Sequence, residues 1–201
     1  GDMGCYSFAG LFHILNLTPP VSVESSTSEP HAASYPWASI VHLDFPANGS
    51  RKALTLHWYD GGLMPQRPAG LAEESTKRFQ SRGEGVMYVG DKGILVAGFN
   101  GQNPRVYPEN KKYVQAPRPR GAEEPEHAIG QWLSACKGGP TPKADVLSQT
   151  PVTEALLLGC LAQRVPFERH KWDSAALRVT TSEAATKLVD PPYRGSWGSG
   201  V

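Results

Sequence analysis

Asp2 and Tyr6 stand four residues apart, a spacing that on a helix puts a carboxylate and a phenol on one face. The plainer reading of the same spacing is a helix-start carboxylate favoured by the macrodipole, beside a packed aromatic. Tyr59 and Asp60 fall where an extended run enters a long loop, and loops at strand ends tend to carry function. His127 opens a second helical stretch. Arg105 and Arg194 suit a carboxylate ligand or a surface ion pair. Trp58, Trp132, Trp172 and Trp197 suit stacking against a sugar, or packing in a core or interface.

Other chemistries are excluded by what the chain lacks. There is no G-x-G-x-x-G after a strand, no G-x-x-x-x-G-K-[ST] and no G-x-S-x-G. No nucleotide cradle or nucleophile elbow can be assembled from these residues alone. The segments Gly90-Asp91-Lys92-Gly93 and Gly98-Phe99-Asn100-Gly101 have the wrong spacing and read as turns. Cys5, Cys136 and Cys160 form no C-x-x-C, and no two of the 6 His have the helical metal-pair spacing, so neither a disulfide framework nor a metal site is expected. With 20 Lys and Arg against 19 Asp and Glu, the net charge of +1 speaks against a nucleic-acid binder. No apolar run reaches the length of a membrane span. The 201 residues suffice for one self-sufficient core, and residues 1–201 are expected to form a single domain.

The elements that must hold these residues follow from periodicity. Cys5, Phe8, Leu11, Phe12 and Leu15 predict a helix over 2–16, stopped by Pro19-Pro20. Val21–Ser26 alternates as a strand. Ser39–Phe45 and Ala53–Tyr59 alternate on either side of Asn48-Gly49 and predict a hairpin with Val41, Leu43, Phe45, Leu54, Leu56 and Trp58 on one face. Residues 60–84 read as a long loop. Gly85–Val89 and Ile94–Gly98 predict a second hairpin, with a short strand at Val106-Tyr107. Residues 108–125, with four Pro, read as an exposed connector. A helix over 126–137 is expected to turn Ile129, Trp132, Leu133 and Cys136 inward. Thr150-Pro151 predicts a cap and first turn for a helix to Arg164, buried on more than one side. Leu177–Val179 predicts a short strand, Ser182–Val189 a last helix, and 191–197 an irregular tail. Successive hairpins imply an α+β fold, a mainly antiparallel open sheet with helices packed on one face.

In this setting Gly1-Asp2-Met3-Gly4-Cys5 resembles the stretch that opens the C-terminal domain of Gfo/Idh/MocA-type NAD(P)-dependent oxidoreductases. There the motif reads roughly G-D-x-G-x-H. Trp58-Tyr59-Asp60-Gly61-Gly62, Gly90-Asp91-Lys92-Gly93, Asn103–Pro108, Trp132–Gly139, Thr153–Gly159 and Tyr193–Trp197 are similar, in order, to the bacterial branch of that family.

The resemblance implies a two-domain enzyme whose Rossmann domain, with NAD or NADP and a catalytic Lys, lies outside this chain. It implies that this chain supplies substrate contacts and a sheet that associates with another subunit. Substrates would be sugars, polyols or related compounds. Asp2 matches the family's Asp. Tyr6 stands where the family has His; a phenol titrates near 10 and an imidazole near 6.5. Tyr6 accepts a proton only if a nearby cation lowers its pKa; otherwise it binds or positions substrate. Tyr59, Asp60 and His127 are expected substrate contacts. The resemblance also leaves an NAD-dependent glycosidase or a non-catalytic assembly module as alternatives.

Overall fold

The computed structural model describes residues 1–29, 33–69, 71, 85–107, 127–142, 144–192 and 195. The expected connector at 108–125, most of the loop from residue 72 on, and Tyr193, Arg194 and Trp197 of the tail lie outside them. Among the described residues the elements are α1 (Gly4–Leu15), β1 (Ser22–Thr27), β2 (Ser39–Phe45), β3 (Leu54–Tyr59), β4 (Val86–Gly90), β5 (Gly93–Ala97), β6 (Arg105–Tyr107), α2 (Ala128–Cys136), α3 (Val146–Arg164), β7 (His170–Asp173), β8 (Arg178–Val179) and α4 (Glu183–Val189). The fold is α+β and every strand pairing is antiparallel. The strands divide between two sheets, in the orders β3-β2-β1-β7-β8 and β4-β5-β6. Alternation assigns a strand its two faces but does not say which strands it joins. The chain forms two compact units, Gly1–Pro65 with Val152–Val201, and Gln66–Pro151.

The first unit is organised by the β2–β3 hairpin. Asn48 and Arg51 exchange both backbone hydrogen bonds at 3.0 Å. Gly49, at φ +57, takes the left-handed position that this tight turn requires. The register then pairs Val41 with Trp58, Leu43 with Leu56 and Phe45 with Leu54. β1 lies on the other edge of β2, with Val23 opposite Leu43 and Ser25 opposite Val41. β7 continues the sheet with His170 opposite Val23.

Both long helices cover this one face. Phe8 of α1 meets Trp58 edge-on at 5.8 Å and Phe12 meets Phe45 at 5.6 Å. The α3 segment from Val152 on approaches closely because it presents small residues. A Cβ at Gly159 would lie 3.7 Å from Val41. The Ser25 hydroxyl donates to the Ala162 carbonyl at 2.7 Å, and the Gln163 amide donates to the Ser39 hydroxyl at 2.7 Å. Val23, Leu43 and Phe45 are each 1% exposed. Burying such a side chain stabilises by about 1.5–3 kcal/mol.

Several boundaries differ from expectation. α1 stops at Asn16, before the prolines, because Asn16 adopts the left-handed conformation and the Leu17 N–H closes on the Phe12 carbonyl at 3.0 Å. Cys5 is exposed, and the buried stripe is Gly4, Ser7, Phe8, Leu11 and Phe12. α3 begins at Val146 and not at Pro151. Its start is held by Asp145, whose carboxylate accepts the Leu147 N–H at 2.8 Å. Thr150 does not cap; its hydroxyl donates to the Val146 carbonyl at 2.7 Å. The helix absorbs Pro151 in its interior by giving up one backbone bond.

In the second unit β4 and β5 form the expected hairpin through Gly90 and Gly93, and β6 adds to β5. Leu71, Ile94, Val96 and Tyr107 form its buried cluster, with Met87 against it. α2 corrects the sequence reading. None of its residues is buried, and Ile129, Trp132, Leu133 and Cys136 are exposed. Periodicity identifies an apolar helical face but does not supply the layer that would cover it.

Truncating Phe45→Ala removes a ring with 1% exposure that carries Phe12. The expected loss is about 3–5 kcal/mol, read as a drop in the denaturation midpoint with the slope unchanged. A loss below 1 kcal/mol would show that α1 does not depend on this contact.

Candidate functional site

The head of α1 is fixed from one side only. Gly4 is buried, and a Cβ there would lie 2.4 Å from Leu156 of α3. That close approach seats the first turn on α3. Asp2 and Tyr6 stand exposed, Tyr6 at 62%. No helix-start side chain caps α1; its first turn is held by the backbone bond from the Cys5 N–H to the Asp2 carbonyl at 3.4 Å, with the Cys5 thiol on the same oxygen at 2.9 Å. The Asp2 carboxylate makes no capping hydrogen bond to the helix. Neither the Asp2 carboxylate nor the Tyr6 hydroxyl has a hydrogen-bond partner among the described residues. Both keep their full capacity to bind a ligand.

Tyr59 and Asp60 close β3 at the other end of the hairpin. The Asp60 carboxylate accepts the Ser39 N–H at 2.9 Å and the Ser39 hydroxyl at 3.0 Å through one oxygen, and the Trp58 indole N–H at 3.2 Å through the other. Its own N–H donates to the Ser39 carbonyl at 3.0 Å. Asp60 thus clamps the start of β2 to the end of β3, and its acceptor oxygens are occupied. Tyr59 sits on the opposite face of the sheet, 6.5 Å from the His57 ring. His127 is the N-cap of α2, its Nδ1 accepting the Ile129 N–H at 3.4 Å. It belongs to the second unit, whereas Asp2, Tyr6, Tyr59 and Asp60 belong to the first.

Of the tryptophans, Trp58 is engaged with Phe8 and Asp60, and Trp172 donates its indole N–H to Glu154. Trp132 is exposed. Arg105 is exposed at the start of β6.

A second cluster lies on the sheet face that no described helix of the first unit covers. His42 and His57 are cross-strand partners, with their Nδ1 atoms 2.5 Å apart and rings 4.7 Å apart. Asp44, two residues along, accepts the Ser22 hydroxyl at 2.6 Å and the Thr55 hydroxyl at 2.7 Å. Arg169 reaches Glu24 at 2.9 Å and Asp44 at 3.5 Å. The Arg169 hydrogen bond holds the Glu24 carboxyl below its ordinary value. For Asp44, partial burial pushes upward, but the Ser22 and Thr55 hydroxyls and then Arg169 outweigh it and hold the carboxyl low. Sequence reasoning did not single out this cluster. The signal for His42 and His57 was present, since a tight turn at Gly49-Ser50 sets them opposite each other. No local signal places Arg169 beside Glu24.

Among the described residues no group of three or more metal-ligating side chains converges. No described helix is long and apolar enough to cross a membrane. No family model and no curated protein matches the chain.

Asp60→Ala leaves the Ser39 N–H without its acceptor at a position that is 0% exposed. The expected cost is about 1–3 kcal/mol of stability, measured by denaturant unfolding; an unchanged midpoint would release Asp60 for a role in binding. Glu24 and Asp44 give an acid prediction. Unfolded carboxyls titrate near 4, and the folded values lie lower. Their contribution is complete above the unfolded value and is lost as pH falls through the folded ones. Arg169→Ala should flatten the fall of stability between about pH 5 and pH 2.

Proposed function

We propose that this chain forms the substrate side of an NAD(P)-dependent oxidoreductase of the Gfo/Idh/MocA type, acting on a sugar, polyol or related compound. The reading rests on the resemblance of its motifs together with one structural observation. Asp2 and Tyr6, the residues matching the family's active-site positions, stand exposed and unengaged among the described residues at the head of a helix anchored on its other side. A rigid support with free polar tips is what a binding site needs. The α+β architecture, with helices on one face of an antiparallel sheet, agrees with the reading without being specific to it.

The described residues do not fit a dinucleotide. Every strand pair is antiparallel, and the one described strand that leads directly into a helix, β8 into α4, does so through Thr180-Thr181-Ser182 with no glycine. A pyrophosphate site of the Rossmann kind needs a glycine turn at a helix start. NAD or NADP is therefore assigned to a separate Rossmann domain.

What this chain contributes is positioning. The Asp2 carboxylate accepts hydrogen bonds from substrate hydroxyls. The Tyr6 hydroxyl, able to donate and accept, fixes a neighbouring oxygen. In this reading Tyr6 positions substrate.

The reading includes self-association through the uncovered sheet face. That face carries both signs of charge, Glu24 and Asp44 with Arg169 and Lys171. Two copies related by a two-fold axis can set acids of one against bases of the other.

In the protein carrying both domains, Asp2→Asn should lower kcat/KM by about 10- to 100-fold, the loss of a charged hydrogen bond to a hydroxyl. Tyr6→Phe should raise KM more than it lowers kcat. Full activity in both variants would remove the catalytic reading and leave an assembly module. A fluorescence titration of this chain alone with NADH and NADPH is expected to show no binding.

A further inference from the structure

The uncovered face of the five-stranded sheet holds an arrangement that its charged neighbours do not explain. His42 of β2 and His57 of β3 are directly opposite. Their Nδ1 atoms approach to 2.5 Å, with the rings set edge to face at 80°. At that distance the contact needs a proton between the two nitrogens. One Nδ1 must carry it and the other must be bare, since two N–H groups cannot point at each other. The nitrogens also stand too close for a tetrahedral cation between them, which would hold them about 3.3 Å apart. The geometry therefore admits one proton in the gap.

The groups facing the pair are known from each neighbouring strand. β1 presents Glu24 opposite His42, and β2 itself presents Asp44. β3 presents Tyr59, in ring contact with His57. Arg169 and Lys171 lie beyond β1, and α1 and α3 are on the opposite face. The two acids are already engaged. Glu24 and Asp44 share Arg169, and Asp44 also takes the Ser22 and Thr55 hydroxyls. The two carboxylates share one guanidinium, so part of their charge remains, and for His57 burial and the neighbouring His42 outweigh the pull of Asp44.

We propose that His42 and His57 form a one-proton latch that makes self-association through this sheet face dependent on pH. The proposal rests on the reading of the face as a surface for a second copy. At neutral pH the pair is uncharged, and Glu24 and Asp44 balance Arg169 and Lys171. On acidification the bare Nδ1 takes a proton, the two rings separate, and each copy gains a positive charge at the centre of the face. Two such faces then repel.

The direction is consistent with the surroundings of His57. Partial burial, and then the neighbouring His42, hold its pKa below the ordinary imidazole value, against a smaller upward pull from Asp44. The unfolded imidazole titrates near 6.5. A folded value below it means that stability is complete above the unfolded pKa and is lost as pH falls toward the folded one. The latch is closed at neutral pH and opens on the acid side.

The test uses the whole chain labelled with ¹⁵N at histidine. Long-range ¹H–¹⁵N spectra are recorded from about pH 8 to pH 4.5, across the imidazole range, with sedimentation equilibrium on the same samples. At neutral pH, one of the two rings is expected to show a protonated Nδ1 and the other a bare one. Both rings should then respond to a single step below the ordinary imidazole value. The dimer dissociation constant should rise through that step, by up to about a hundredfold per pH unit when two copies each take one proton. His42→Gln should move the His57 step upward, toward but not fully to the ordinary imidazole value because its burial remains, and should move the dissociation with it. Independent titration of both rings at the ordinary value in the unsubstituted chain would overturn the shared proton. A dimer that persists through the step overturns the gating while leaving the self-association reading intact. A chain that is monomeric throughout overturns both of those, and the ring titration still decides the shared proton.

Discussion

The five-stranded sheet has one dry face and one wet face, and everything placed on the first unit depends on that division. The register of β2 enforces it. Ser39, Val41, Leu43 and Phe45 point into the layer under α1 and α3, so Ile40, His42 and Asp44 must point the other way. A slip of one residue would send Leu43 and Phe45 into water and His42 and Asp44 under the helices. The cost of that exchange, several buried side chains against two buried polar groups, leaves a single register. The tight turn at Gly49 and the Asp60 clamp on Ser39 fix the two ends of the hairpin to the same register.

Two kinds of chemistry are consequently kept apart. On the dry side, polar groups are structural. Asp60 is consumed by Ser39 and Trp58, and His170, at 0% exposure, gives its Nε2–H to the Val165 carbonyl at 2.7 Å. On the wet side, Arg169 ties Glu24 to Asp44, and the two imidazoles meet in the middle. The head of α1 is a third location. Its packing against Leu156 holds the backbone, and its polar side chains remain uncommitted. Of these places, the α1 head offers free ligand contacts and the wet face offers a surface for another chain.

The candidate residues drawn from the chain separate by how local their determinants are. The spacing of Asp2 and Tyr6 predicts one helical face for them; α1 begins only at Gly4, so Asp2 lies in the turn before the helix, and both are exposed. Asp60 was read as a loop residue at a strand end, which it is. Its partners Ser39 and Trp58 lie on two strands, and only their pairing makes it a clamp. His127 was read as a helix-start residue and caps α2. Trp132 and Leu133 were expected inside because of their period, and they are exposed because a period reports a face and not its cover. Asp145 took the capping role expected of Thr150, since a carboxylate one turn upstream gives the N–H groups a stronger acceptor.

The sequence by itself determined the elements whose causes are local: the β2–β3 hairpin, from alternation on either side of Asn48-Gly49; α1, from its apolar stripe; the β4–β5 hairpin between two glycines; and α4, from Ser182 at its start. Each rests on backbone sterics or on contacts within about twenty residues. Only the tertiary structure decided the separation of the strands into two sheets, the meeting of β1 with β7, the seat of α1 on α3, and the bridge from Arg169 to Glu24 and Asp44. Those contacts join residues more than a hundred positions apart. Their energy comes from shape, burial and charge in the assembled unit, which no window of the chain contains.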